Sequence, residues 1–195
     1  MRSPKGCLPV LLGLVAIALI FTAVSYYGSY FFDLYQRPWA YTSDPANPLL
    51  VGKWAGNFRD PNGVQKSLMV EILVPTTDEE RLEKANRRRR RNRTNKKAFD
   101  GFATVDSRLG KEEYELWGSV RERTGRTFAF SMRPVDERKM PLPNFQALEA
   151  NAGSWDDNAL TIIVSFSYRK ADGAGFWSSA DPRFEKTATV KLARQ

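Results

Sequence analysis

Between Leu50 and Leu192 the chain carries a series of short runs in which apolar side chains recur at every second position, the period of a strand with one buried face. Leu50, Trp54 and Phe58 share one face with Gly52 and Gly56 between them, while Lys53, Asn57 and Arg59 take the other. Asp60-Pro61-Asn62-Gly63 is a hairpin turn: proline presets φ and glycine supplies a positive one. Leu68, Val70, Ile72 and Val74 then alternate with Ser67 and Glu71. Further runs follow at Phe99 to Asp106, Tyr114 to Arg121, Thr127 to Arg133, Phe145 to Ala150, Leu160 to Tyr168 and Thr187 to Leu192, eight strands counting both halves of the first hairpin. Short links such as Arg123-Thr124-Gly125-Arg126 and Asp156-Asp157-Asn158 make successive strands antiparallel neighbours. The expectation is a mainly β domain, an antiparallel up-and-down barrel, with an open sandwich as the competing layout. Closure removes exposed sheet edges, and a barrel of this size has room for its own side chains or for one small ligand. Glycines at 52, 56, 101 and 118 mark bends or close backbone approach.

The opening of the chain follows a different pattern. Leu8 to Phe32 contains no charged residue, and 25 residues at helical rise reach about 37 Å, more than the roughly 30 Å hydrocarbon core of a bilayer. Tyr26, Tyr27, Tyr30, Phe31, Phe32, Tyr35 and Trp39 crowd its far end, as amphipathic rings do at an interface. The pattern predicts a transmembrane signal anchor over 7-32, with a cleaved signal peptide ending near Ala23-Val24-Ser25 as the alternative. Arg2 and Lys5 precede the span and only Arg37 follows closely, which assigns 1-6 to the cytoplasm. A proline-containing linker over 33-48 then leads to the barrel domain, 49-195, outside the cytosol, periplasmic in a bacterium. On this reading the chain is a single-pass membrane protein with the lipid bilayer as a partner. Cys7 is a spectator thiol or, in a eukaryote, an acylation site.

Gly52-Lys53-Trp54 at the start of the first strand resembles the Gly-x-Trp signature of lipocalins and related calycin barrels. Tyr114-Glu115-Leu116-Trp117-Gly118 and Phe128-Ala129-Phe130-Ser131 are similar in rhythm to the meander of avidin-like barrels. The resemblance implies a calycin-type barrel with Trp54 closing one end. Gly56 stands where avidin-like proteins carry a biotin-contacting Asn, and Thr187 to Leu192 offers no buried Asp, so biotin binding is not implied.

The charge is concentrated. The chain carries +8, and between Asp78 and Lys97 ten basic residues face four acidic ones, so that segment holds all but two units of the excess. It lies in an insertion over 76-98, where Thr77 and Glu80 form a capping box and Glu80/Lys84 and Glu83/Arg87 are helical i,i+4 pairs. Arg87, Arg88, Arg89, Arg90, Arg91, Arg93, Lys96 and Lys97 follow. Such a run is either a solvated loop or an anion-binding arm for anionic lipid or an acidic protein surface. Nucleic acid is disfavoured, because the run has no aromatic side chain on which bases stack. Asn92-Arg93-Thr94 is a glycosylation sequon, meaningful in a eukaryote.

The residues for chemistry are few. With no histidine and one cysteine, the chain has no Ser-His-Asp or Cys-His pair, no Cys/His zinc cage and no internal disulfide. Asp60, Asp156, Asp157, Asp172 and Asp181 sit in turn-like settings, and no metal or cofactor is expected. The glycine-rich stretch Ala171 to Phe184 displays Phe176 and Trp177, candidates with Trp54 for ligand or partner contact. The expected class is a membrane-anchored, non-enzymatic binding or accessory module acting by protein contact or by holding a small apolar ligand. The alternatives are a structural subunit of a cell-envelope complex with a solid barrel and, last, a carboxylate-based hydrolase.

Overall fold

The computed structural model describes residues 7–42, 48–75, 97–121, 126–176 and 181–195. The chain divides into two units, Met1–Gln36 and Arg37–Gln195. The first carries helix α1 (Cys7–Gln36), on which Leu12, Ile17, Ile20 and Phe21 are exposed. Among the described residues, no helix is long and apolar enough to cross a membrane. The transmembrane reading of 7-32 is corrected on this ground. So is the single-pass, extracytoplasmic localisation that followed from it.

The second unit is built from β1 (Gly52–Arg59), β2 (Gln65–Ile72), β3 (Ala98–Ser107), β4 (Gly110–Val120), β5 (Thr127–Pro134), β6 (Asn144–Trp155), β7 (Ala159–Arg169), β8 (Gly175–Phe176) and β9 (Ala188–Arg194). β1 through β7 pair in sequence, and β9 closes the ring between β7 and β1, so eight antiparallel strands form a barrel. β8 adds a two-residue edge to β7 opposite Tyr168 and Arg169. The eight-strand expectation is met. Strand β2 stops at Ile72, however, and Val74, read as its last inward residue, is exposed.

Alternation explains the core. Trp54 and Phe58 on β1, Leu68, Val70 and Ile72 on β2, and Phe128, Phe130 and Met132 on β5 are all buried, with exposed residues between many of them. Each such apolar side chain stabilises the fold by roughly 1.5–3 kcal/mol when fully buried. β6 departs from strict alternation: its register against β7 shifts between Ala147 and Glu149 and between Ala150 and Ala152. Such bulges bend a strand and are common where a barrel curves.

The β1–β2 turn forms as its residues dictate. Asp60 Oδ1 accepts from the amides of Asn62 and Val64, both at 2.9 Å, and Gly63 adopts φ +79°, a left-handed conformation that costs glycine little. Gly56 answers a need for space at the β1–β9 seam, where a Cβ would lie 2.2 Å from the Lys191 carbonyl oxygen.

The two ends differ. At the linker end, helix α2 (Pro38–Tyr41) buries Trp39 and Ala40 in the barrel core, so the stretch read as a linker contributes to packing. Leu50 N donates to Trp39 O at 2.8 Å, and Trp155 Nε1 to Pro48 O at 2.7 Å. The opposite end carries the β1–β2 and β3–β4 turns, the β5–β6 link and the β7–β9 link. It is the mouth.

Candidate functional site at the barrel mouth

Five polar side chains meet at the mouth and are almost wholly withdrawn from water: Asp60, Lys66, Glu112, Tyr114 and Asn144. Lys66 enters because it occupies the first inward position of β2, in step with Leu68, Val70 and Ile72. Glu112 does the same on β4, ahead of Tyr114 and Leu116. The Lys66 ammonium donates to Glu112 Oε1 at 2.8 Å, Asn144 Oδ1 at 2.8 Å and the Phe145 carbonyl at 2.7 Å, which uses its three protons. Asp60 Oδ2 lies 4.0 Å away, a second carboxylate near the same cation.

The second Glu112 oxygen accepts a short hydrogen bond from the Tyr114 hydroxyl. Burial pushes the Tyr114 phenol well above its ordinary value of 10.0, and the Glu112 charge and hydrogen bond push the same way. The tyrosine is therefore a fixed neutral donor. Among the described residues, Asn144 Nδ2 has no hydrogen-bond partner.

Beside this cluster lies a cavity of about 40 Å³ lined by Glu137, Leu142, Gln146, Arg169 and Gly173. Arg169 Nη1 donates to the Gly173 carbonyl at 3.2 Å, and Nη2 lies 3.9 Å from Glu137 Oε1. A water needs roughly 10–15 Å³ of such space and a drug-sized ligand some 300–1,000 Å³, so this cavity suits a few waters. Among the described residues, no group of three or more His, Cys, Asp or Glu is placed to hold a metal ion.

The residues singled out from sequence do not converge here. Trp54 is fully buried near the linker end, its Nε1 donating to Leu50 O at 2.9 Å, with the Arg194 guanidinium 4.2 Å from its ring centroid. Phe176 belongs to β8, opposite Tyr168. Trp177, Arg87, Arg88, Arg89, Arg90, Arg91, Arg93 and Lys96 lie outside the described residues. Lys97 is exposed and its Nζ donates to Arg121 O at 2.8 Å. Asp156 and Asp157 form the β6–β7 turn, with Arg126 Nη1 3.0 Å from Asp156 Oδ1. Asp172 accepts from the Ala174 amide at 2.9 Å, and Asp181 caps the short 3-10 helix Pro182–Glu185. The sequence reading missed Lys66, Glu112 and Asn144. The signal was a charge standing in phase with an apolar alternation, once on β2 and once on β4.

No family model and no curated protein matches the chain. Among solved structures it is similar to EF1p2_mFAP2b, determined bound to DFHBI, with 15% identity over 75% of this chain and 94% of that one and a TM-score of 0.45. It is also similar to a de novo designed fluorescence-activating β-barrel, with 13% identity over 75% and 94% of the two chains and a TM-score of 0.38. At such scores the likeness adds nothing to the strand order above.

Proposed function

We propose that this protein is a non-enzymatic binding or accessory module whose barrel is a filled scaffold and whose contacts are made by its outer surface. The observation that carries this reading is the packing of the lumen. Trp54, Phe99, Tyr114, Phe128 and Phe145 are each at most 1% exposed, and the Lys66 cluster occupies the mouth. A carrier of apolar ligands needs an apolar void of hundreds of cubic ångströms. The mouth cavity, about 40 Å³, is an order of magnitude smaller.

In this reading Trp54 is a packing residue, 49-195 is the working domain, and the run from Arg87 to Lys97 is an arm for an acidic protein surface. Only its charge supports the last assignment. The mouth cluster is a polar plug: its one ammonium is matched by carboxylates, and Tyr114 is held as a donor, which leaves no free base or nucleophile among the five. Native mass spectrometry of the full chain, combined with cross-linking through Lys53 and Lys111 in its own cells, tests the reading. Cross-links to a protein partner are expected. A stoichiometric apolar molecule retained by the chain overturns it.

A further inference from the structure

The outer face of β2–β4 has a charge opposite to that of the whole protein. Its outward positions carry Glu71, Asp100, Asp106, Glu113 and Glu115 against the single cation Lys111, although the chain as a whole is +8. Lys53 on β1 lies 3.8 Å from Glu71, Lys111 engages Glu113 at 2.6 Å, and Arg133 on β5 stands directly opposite Glu115, which leaves Asp100 to define the centre of the face.

Through these carboxylates runs a diagonal of large apolar side chains. Met69, Phe102 and Trp117 are 50%, 50% and 46% exposed. Met69 pairs with Thr104, two residues from Phe102, and Trp117 pairs with Asp100, two residues from Phe102 on the other side. Each is thus the diagonal neighbour of the next, a spacing of about 7–8 Å that large side chains bridge. From Met69 to Trp117 the row covers about 16 Å, from two interstrand steps and four residues of rise. An α-helix of about eleven residues has that length. Leu73, 38% exposed, extends the apolar area at the end of β2.

Resting on the surface-contact reading above, we infer that the Met69–Phe102–Trp117 face is a docking site for a cationic amphipathic segment of a partner protein. The partner's apolar side chains cover the diagonal and its Lys or Arg residues meet Glu71, Asp100 and Glu115. Charge complementarity selects this occupant. An anionic bilayer or a nucleic acid is repelled by the same carboxylates, and an uncharged apolar partner would leave them desolvated without counter-charges. Three large apolar anchors amid polar groups match the usual anatomy of a contact patch, in which aromatic and methionine side chains carry most of the binding.

The test uses the full chain and two synthetic twelve-residue peptides, one of Leu and Lys and one of Leu and Glu, measured by titration calorimetry at low and high salt. The Leu/Lys peptide is expected to bind, more weakly as salt rises, with affinity falling about ten-fold or more in Phe102→Ser and again in Glu115→Lys. Both positions are exposed, so thermal unfolding of each variant is expected to match wild type and separates lost binding from lost fold. Equal affinity in both variants, equal binding of the Leu/Glu peptide, or no binding overturns the inference. So does sedimentation showing self-association that Phe102→Ser abolishes, since a second copy is then the occupant. Neither variant touches the lumen, so failure here leaves the filled-barrel reading to be judged by native mass spectrometry alone.

Discussion

The Lys66 ammonium and the Glu112 carboxylate, 46 residues apart in the chain, meet at 2.8 Å inside the barrel with their side chains 1% and 0% exposed. β2 and β4 are not neighbours in the sheet, because β3 separates them. The pair therefore bridges over β3, and the Lys66 bonds to Asn144 and the Phe145 carbonyl on β6 carry the cluster across the mouth; it forms only once the strands are in register. Burying two charges costs several kcal/mol per ion, offset here by their mutual attraction and by the added bonds from Tyr114, Asn144 and the Phe145 carbonyl.

Removing one partner leaves the other charge without compensation. Lys66→Met is expected to destabilise the barrel by about 3–5 kcal/mol, because Glu112 and Asp60 then share the mouth with no cation. The double variant Lys66→Met, Glu112→Leu is expected to recover much of that loss, since apolar replacement of a whole buried pair is often near neutral. Urea unfolding of the two single variants and the double variant closes the cycle. A double variant whose loss equals the sum of the two single losses would show that the two charges are not coupled.

Tyr114 sets an alkaline limit. Its folded pKa is raised above the unfolded value of 10.0, first by burial and then by the Glu112 charge and hydrogen bond. A raised pKa means that the folded state holds its proton longer than the unfolded state. The stabilisation is thus complete below pH 10 and declines above it, by about 1.4 kcal/mol per pH unit. Tyr114→Phe has no such term, but it leaves a Glu112 oxygen without its donor, at about 1–3 kcal/mol. The stability gap between wild type and Tyr114→Phe is expected to be widest at pH 8 and to narrow by pH 11 in parallel urea titrations. A gap independent of pH would contradict a protonated, buried phenol.

Much of the barrel was legible from its sequence, because a period of two leaves few choices once one face is apolar. One further step back along Leu68-Val70-Ile72 reaches Lys66, and one step back along Tyr114-Leu116 reaches Glu112. Alternation thus places each charge inside but does not pair them, since pairing depends on the register of β3 between them. Leu148 shows a different limit. It looks like a core residue but is 48% exposed, because it is the extra residue of a bulge: Ala147 and Glu149 on either side of it pair with consecutive residues of β7, Phe166 and Ser165. Arg37 reads in the sequence as a charge flanking a membrane, yet it is fully buried in the second unit. The outward Met69, Phe102 and Trp117 were invisible as a group, since only the strand register makes them diagonal neighbours.

Gly56 tests closure. A methyl group there would sit 2.2 Å from the Lys191 carbonyl oxygen and 2.9 Å from the Leu192 side chain, both on the strand that completes the ring. The first obstacle is backbone, so β1 and β9 must move apart. Gly56→Ala is expected to cost about 3 kcal/mol, at the upper end for overpacking. Gly175, whose added Cβ meets nothing within 4 Å, is the control, and Gly175→Ala is expected to be within about 0.5 kcal/mol of wild type. Thermal unfolding of both variants is the measurement. Equal stabilities would show that the close approach of β9 to Gly56 does not constrain closure.

Arg194 holds the linker end shut. Its guanidinium donates to the carbonyls of Leu49, Val51 (3.0 Å) and Asp157 (3.0 Å) while lying 4.2 Å from the Trp54 ring centroid. One planar cation thus ties the entering chain, the β6–β7 turn and the fully buried Trp54 together at the C-terminal end of β9. Lysine keeps the charge but presents it as a point, without the fork that reaches three carbonyls or the flat face that stacks on an indole. Arg194→Lys is therefore expected to lose about 1–3 kcal/mol, from two unpaired carbonyls and a weakened cation–π contact. The loss should be local before it is global: amide exchange at Leu50, which donates to Trp39 O, is expected to accelerate while amides in β2 and β3 stay protected. Unchanged exchange at Leu50 would mean that Trp39 and Trp54 close this end without help from the arginine.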